Sequence, residues 1–162
     1  MIKATELEKI LDQCKRNDRK AQKLVYDSYY NRYFTLCLRY LNSNELASES
    51  VNELFFKAFT KLKDLNDLAL FEGWMKRICI NVCLNKIKQN KQHLTVDINH
   101  SDHLFIDQVQ NDALSNISLE ELLSMVKNLP SQMRNVFNLY AIDGYKHCDI
   151  ANMLDISEGT SK

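Results

Sequence analysis

One proline and three glycines in 162 residues leave this chain poor in turn-formers, and its N-terminal part contains no convincing strand pattern. No run approaches the roughly 18 consecutive apolar residues of a membrane-spanning helix. The stretch after Met1 lacks the pattern of a secretory signal, so a cytoplasmic location is expected. Five cysteines, an odd number without framework-like spacing, exclude a disulfide scaffold and indicate reduced thiols. Net charge is absent too, with 21 Lys and Arg against 21 Asp and Glu. That balance speaks weakly against a nucleic-acid binder until its distribution is considered. What is present suits one or two small helical domains: 45% hydrophobic residues, with seven Phe, seven Tyr and one Trp to fill a core.

Charge is divided along the chain. From Gly73 to Val96 there is no acid, while Lys76, Arg77, Lys86, Lys88 and Lys91 supply five positive charges. From Gln92 to Val126 the sign reverses, with Asp97, Asp102, Asp107, Asp112, Glu120 and Glu121 and no Lys or Arg. The first segment suits phosphates and the second repels them. The second also holds a stretch rich in Asp, Asn, His and Ser, read as a linker over residues 93–117 with a short helix near Leu104–Val109. It separates an N-terminal domain, residues 1–92, from a C-terminal one, residues 118–162.

The N-terminal part reads as a helical bundle. A first helix, about Thr5–Cys14, places Leu7, Ile10 and Leu11 on one side; a second, about Arg19–Leu41, offers Leu24, Tyr30, Phe34, Cys37, Leu38 and Leu41. Asn42–Asn44 breaks it. Leu46–Lys61 follows with Val51, Leu54, Phe55, Ala58, Phe59 and Leu62 as its apolar side, and Asp64–Ala69 makes a polar loop. Three Phe residues within five positions, Phe55, Phe56 and Phe59, cannot all face one narrow stripe. The last long helix, Phe71–Gln89, directs Trp74, Ile78, Val82 and Ile87 inward and leaves Arg77, Asn81, Asn85 and Lys88 on a polar edge. That edge suits a nucleic-acid backbone or base edges, and equally a solvated helix face.

The final stretch, Gly144–Lys162, has the form of a helix-turn-helix. Gly144 ends one helix in a left-handed conformation, Tyr145–Leu154 forms a short helix carrying Ile150, Met153 and Leu154, and Asp155-Ile156-Ser157 turns the chain. Ser157 then caps a helix beginning at Glu158. An ordinary helical hairpin is the competing reading. Only Glu158–Lys162 of that second helix are present, so the motif reads as cut short and weak upstream-duplex binding is expected of the chain as it stands.

Other chemistry finds little support. Glu120-Glu121 and Asp149 make no recognisable carboxylate pair, and the serines lack a base with its orienter, so no catalytic residue and no enzyme activity is expected. Cys79 and Cys83 lie four residues apart on one helical face and are read as core cysteines. His147-Cys148 falls in the other domain and His100-x-x-His103 is short of ligands, so neither a metal nor a cofactor is expected.

Three segments together resemble the bacterial RNA polymerase sigma factors of the extracytoplasmic-function group, within the sigma-70 family. A-S-E-S-V-N-E-L-F-F-K-A-F, Ala47–Phe59, is similar to the family's polymerase-clamp-binding helix. F-E-G-W-M-K-R-I-C-I-N-V-C-L-N-K-I-K, Phe71–Lys88, resembles its F-x-x-W-L-x-R-I-x-x-N pattern, and Leu129–Lys162 resembles its promoter-reading helix-turn-helix. The resemblance implies an all-α protein with a region 2-like bundle, a linker and an incomplete region 4-like domain. It implies a non-enzymatic transcription initiation factor that binds core RNA polymerase and recognises and melts promoter DNA, with an anti-sigma protein as a further partner.

Carried over residue by residue, Glu49, Asn52, Glu53, Phe56 and Lys57 would bind polymerase. Arg77, Asn81, Asn85 and Lys88 would meet the downstream promoter element beside a base-capturing loop around Lys63–Phe71, and Lys146, His147, Thr160 and Lys162 the upstream one. The family often has Asp near Asn85 and Arg near Lys88; Lys cannot reproduce the planar fork of Arg. A polymerase-binding fragment with impaired upstream recognition and a non-enzymatic helical interaction module remain the alternatives.

Overall fold

A computed structural model describes residues 4–93, 126 and 128–162. These residues contain seven α-helices and no strand, so the protein is all-α. They fall into two compact units, each treated by itself below.

The first unit contains α1 (Ala4–Lys15), α2 (Arg19–Leu41), α3 (Asn44–Lys61) and α4 (Phe71–His93). Local chemistry sets the breaks between them. Asp18 accepts from the backbone N–H groups of Lys20 at 2.8 Å and Ala21 at 3.1 Å, which starts α2. Asn42 ends it in the left-handed region, φ 52°, donating its N–H to the Leu38 carbonyl at 2.9 Å. Ser43 then caps α3 through the Leu46 N–H. The expected polar loop between α3 and α4 contains two short 3₁₀ turns, Leu62–Asp64 and Leu68–Leu70. The Lys15 ammonium holds it to α1 by donating to the Leu65 carbonyl at 2.8 Å.

Helices α2, α3 and α4 pack mutually, with α1 against α2. The buried stripe of α3 includes Ala47, Val51, Leu54, Phe55 and Ala58, close to expectation, and α1 buries Ile10, Leu11 and Cys14. The expected stripe of α2 needs correction. Its buried residues are Ala21, Val25, Tyr29, Tyr33, Cys37 and Tyr40, whereas Leu24 is exposed and Tyr30 and Phe34 are half-buried. Tyrosine can occupy a core when its hydroxyl finds a partner. The Tyr29 hydroxyl donates to the Glu72 carboxylate at 3.1 Å and the Tyr33 hydroxyl to the Glu72 carbonyl at 3.3 Å. With those polar atoms satisfied, the Tyr face goes in and Leu24 stays out.

A smaller correction applies to α4. Its core face runs through Phe71, Met75, Cys79, Val82 and Cys83, while Trp74 and Ile78 are half-buried. The expected stripe was thus one position out of register over the first two turns. Trp74 leans on Phe71, with ring centroids 6.2 Å apart, and so packs behind the preceding loop.

The second unit contains α5 (Ser131–Phe137), a π-helical turn over Asn138–Ile142, α6 (His147–Leu154) and α7 (Glu158–Ser161). Gly144 adopts φ 77°, as its position before the hairpin requires. The Tyr145 N–H donates back to the Leu139 carbonyl at 2.9 Å, so α6 begins at His147, two residues after the expected start. Asp155 turns the chain in the left-handed region, φ 57°, and the Ser157 hydroxyl caps α7 by accepting from the Thr160 N–H at 3.0 Å. Leu139 and Ile150 are the most deeply buried apolar side chains of this unit. Past His93, the expected linker and its short helix lie outside the described residues, as does the His100/His103 pair.

Candidate protein and nucleic-acid interfaces

The helical period places Glu49, Asn52, Glu53, Phe56 and Lys57 on one side of α3, away from the buried stripe. Phe56 stands at its centre and is 74% exposed, whereas Phe55 is buried and Phe59 packs on it with centroids 5.8 Å apart. The three clustered Phe therefore separate into a core pair and one outward ring. Every polar residue around that ring is held. The Glu49 carboxylate accepts from the Lys86 ammonium at 3.0 Å, Asn52 from the Tyr26 hydroxyl at 2.9 Å, and Glu53 from Lys57 one turn along. An apolar anchor inside a rim of oriented charges is the composition of a protein-docking patch.

On α4 the outward face runs through Gly73, Arg77, Asn81, Asn85 and Lys88, all exposed. Among the described residues, no hydrogen bond or ion pair holds the Arg77, Asn81, Asn85 or Lys88 side chains, and all four are exposed to solvent. Arg77 and Lys88 lie eleven residues apart, about 16 Å along the axis. A β-carbon at Gly73 would meet nothing within 4 Å, so the start of this face is open backbone. Free cations and amides on a bare helical ridge suit phosphates and base edges.

Above this face, the loop presents Leu70, 61% exposed, which a hydrophobicity count would assign to the core. The readable signal is Asp67. Its side chain accepts from the Ala69 N–H at 2.9 Å and fixes the turn that leaves Leu70 outside. Glu72 anchors the base of the same region. Its carboxylate receives the Arg32 guanidinium at 2.7 Å as well as Tyr29. The Arg32 hydrogen bond holds the Glu72 carboxyl below its ordinary range, and burial followed by the Glu72 bond pushes the Tyr29 phenol up to about 12.

The residues expected to meet the upstream element are arranged differently. Lys146 is exposed at the start of α6. His147 stacks on Tyr140 with centroids 4.3 Å apart, and its Nδ1 is 3.0 Å from the hydroxyl of the buried Ser161. Thr160 shares the α7 cap, its hydroxyl 2.7 Å from that of Ser157, and Lys162 pairs with Glu158 at 2.9 Å. Of the four, His147 ties α6 to α7, while Thr160 and Lys162 are held within α7 and its cap.

Sequence spacing missed one convergence. Cys37 of α2 reaches Cys79 and Cys83 of α4, and the three thiols are buried together. A pattern confined to one helix carries no sign of a partner 42 residues away.

Two helical units, one with an exposed Phe56 and a cationic helical face and the other with a helix-turn-helix, have the composition of a DNA-associated regulatory protein. A family model described as Sigma-70 region 2 matches residues 25–93, and one described as Sigma-70, region 4 matches residues 119–162. The extracytoplasmic-function RNA polymerase sigma-E factor of Haemophilus influenzae is 26% identical over 161 residues, covering 93% of this chain and 85% of its own. The corresponding sigma factor SigW of Bacillus subtilis is 24% identical over 166 residues, covering 96% and 89%. The sigma-E factor of Escherichia coli K12 is 24% identical over 163 residues, covering 93% and 84%. The chain belongs to the sigma-70 family, in its extracytoplasmic-function group. It is a transcription initiation factor that binds RNA polymerase and promoter DNA, from a family that is itself non-enzymatic. Among the described residues, no helix is long and apolar enough to cross a membrane.

Proposed function

We propose that the two outward faces of the first unit divide the work of initiation. Glu49, Asn52, Glu53, Phe56 and Lys57 dock on core RNA polymerase, with Phe56 as the apolar anchor. Arg77, Asn81, Asn85 and Lys88 hold the separated promoter strand beside the loop around Lys63–Phe71. The observation that carries this reading is the contrast between an exposed Phe ringed by internally paired charges and a ridge whose donors have no described partner. Capture of an unpaired base needs a pocket that replaces stacking and backbone contacts beside it; the exposed Leu70 and the α4 donors supply apolar surface and polar contacts at neighbouring positions.

Residues 1–92 and 118–162 act as the two functional domains and residues 93–117 as their connection. Lys146, His147, Thr160 and Lys162 approach the upstream element, Lys146 being the residue best placed to serve phosphate alone. The chain works in the cytoplasm without catalysing a reaction of its own, and an anti-sigma protein is a further partner. Photo-crosslinking from two positions tests the division. A crosslinker at position 56 should label a polymerase subunit and one at position 81 the promoter strand; labelling of DNA from 56 or of polymerase alone from 81 would reject it.

A further inference from the structure

Cys79 and Cys83 stand one turn apart on α4, and Cys37 meets them from the C-terminal half of α2. The three sulfurs lie within 4.8 Å of one another, with Cys37 and Cys79 at 3.4 Å. All three residues have zero exposure. Sulfurs bound at about 2.3 Å to one centre sit roughly 4 Å apart, so these thiols are already near the spacing that a single ion imposes. We propose that Cys37, Cys79 and Cys83 form a closed three-sulfur site for one soft, thiophilic ion.

The donor set selects the class. No carboxylate or imidazole joins the cluster among the described residues, which disfavours hard cations, and a structural zinc would lack its fourth ligand. Three sulfurs shielded from water suit monovalent copper or trivalent arsenic. Arsenous acid would exchange its three hydroxyls for three As–S bonds, releasing three waters from the three thiol protons. Oxidation state is unchanged and the product is neutral, which a buried site tolerates best. Monovalent copper displacing three protons leaves two net negative charges, which a buried site tolerates less well. Because the ligands come from α2 and α4, a bound ion would pin together the two helices behind the Asn81/Asn85 face.

The test uses the full chain with Cys14→Ser and Cys148→Ser, kept anaerobic with a non-thiol reductant. Arsenite and monovalent copper are titrated separately, with intact-mass stoichiometry and thermal melting as readouts. One ion per chain is expected, with a melting temperature that rises with ion concentration. X-ray absorption of the loaded chain should count three sulfur neighbours. Cys37→Ser, Cys79→Ser and Cys83→Ser should each weaken binding by more than about 100-fold, beyond the usual effect of outer-shell changes. Helical content by circular dichroism checks folding, and where a Ser variant unfolds, the Ala variant and the absorption count replace it. Saturation by arsenite alone assigns the site to a metalloid, and by copper alone to copper. Failure of both probes, undiminished binding in Cys37→Ser, or preferential zinc binding with a nitrogen or oxygen neighbour would overturn the proposal.

Discussion

The outward faces of α3 and α4 differ in what their polar groups are doing. On α3, Glu49 is paired to Lys86, Glu53 to Lys57 and Asn52 to Tyr26, so the charges are oriented before any partner arrives. On α4, Arg77, Asn81, Asn85 and Lys88 stand exposed. A protein partner rewards preorganised side chains around an apolar anchor, since ordering them at docking costs free energy. A phosphate backbone instead rewards displaced counterions and free donors, and internal pairing would remove both. Under the proposed division of partners, two adjacent helices of one bundle follow opposite rules because those partners differ in chemistry.

The largest effect expected from breaking this contrast is at its centre. Phe56→Ala should lower polymerase affinity by about 2 kcal/mol, roughly thirtyfold, as loss of a docking anchor does. Because the ring is exposed, the urea midpoint should barely move, within about 0.5 kcal/mol. Unchanged affinity in a folded variant would dissolve the distinction between the faces. Next in size, Asn81→Ala should reduce promoter opening by about 1–2 kcal/mol with polymerase affinity preserved. Lys88→Ala should lower the salt slope of promoter-strand binding by about 0.7. Equal loss of polymerase binding in either variant would merge the two faces into one.

A finer probe is Gly73→Ala. Its added methyl meets open space and replaces a costly helical glycine, so stability should rise by up to about 1 kcal/mol in denaturant melts. A simultaneous loss of strand binding would extend the nucleic-acid face to the first turn of α4; unaltered binding would end that face at Arg77.

The smallest effect concerns pH. The Glu72 carboxyl lies lower in the folded chain than its ordinary value of 4.5, so its contribution is present above that value and is lost as pH falls through the lower folded value. Since Arg32 and Glu72 are both about half exposed, solvent screening keeps the contribution near 0.5 kcal/mol. Arg32→Ala should flatten the urea midpoint between about pH 5 and pH 3 by that much; an unchanged slope would remove Arg32 as the cause.

The all-α class, the break after Leu41, the turn at Gly144 and the Ser157 cap were legible because each rests on neighbours in the chain, although α3 starts at Asn44, two residues before the expected Leu46. The α3 face was legible for a related reason: three Phe within five positions force one of them outward. The α2 stripe was not, because burial of Tyr29 and Tyr33 depends on Glu72, 43 and 39 residues away. Likewise the pairing of Glu49 with Lys86 spans 37 residues and leaves no trace in either helix's own periodicity. Residue types announced the faces; tertiary partners decided which members were already occupied.

The Glu72 clasp also sets an order of events in time. Asp18 can cap α2 using residues two and three positions away, whereas Tyr29, Arg32 and Tyr33 must wait for α4 to arrive. Closing that distance costs chain entropy before the contact returns anything, and the clasp is accordingly expected late in assembly. A bond made after the transition state acts on the exit rather than the entry. We predict that Glu72 is a latch on the lifetime of the folded bundle: Glu72→Ala should hasten unfolding while leaving the speed of folding nearly unchanged, and a slowed folding limb in stopped-flow kinetics would contradict this.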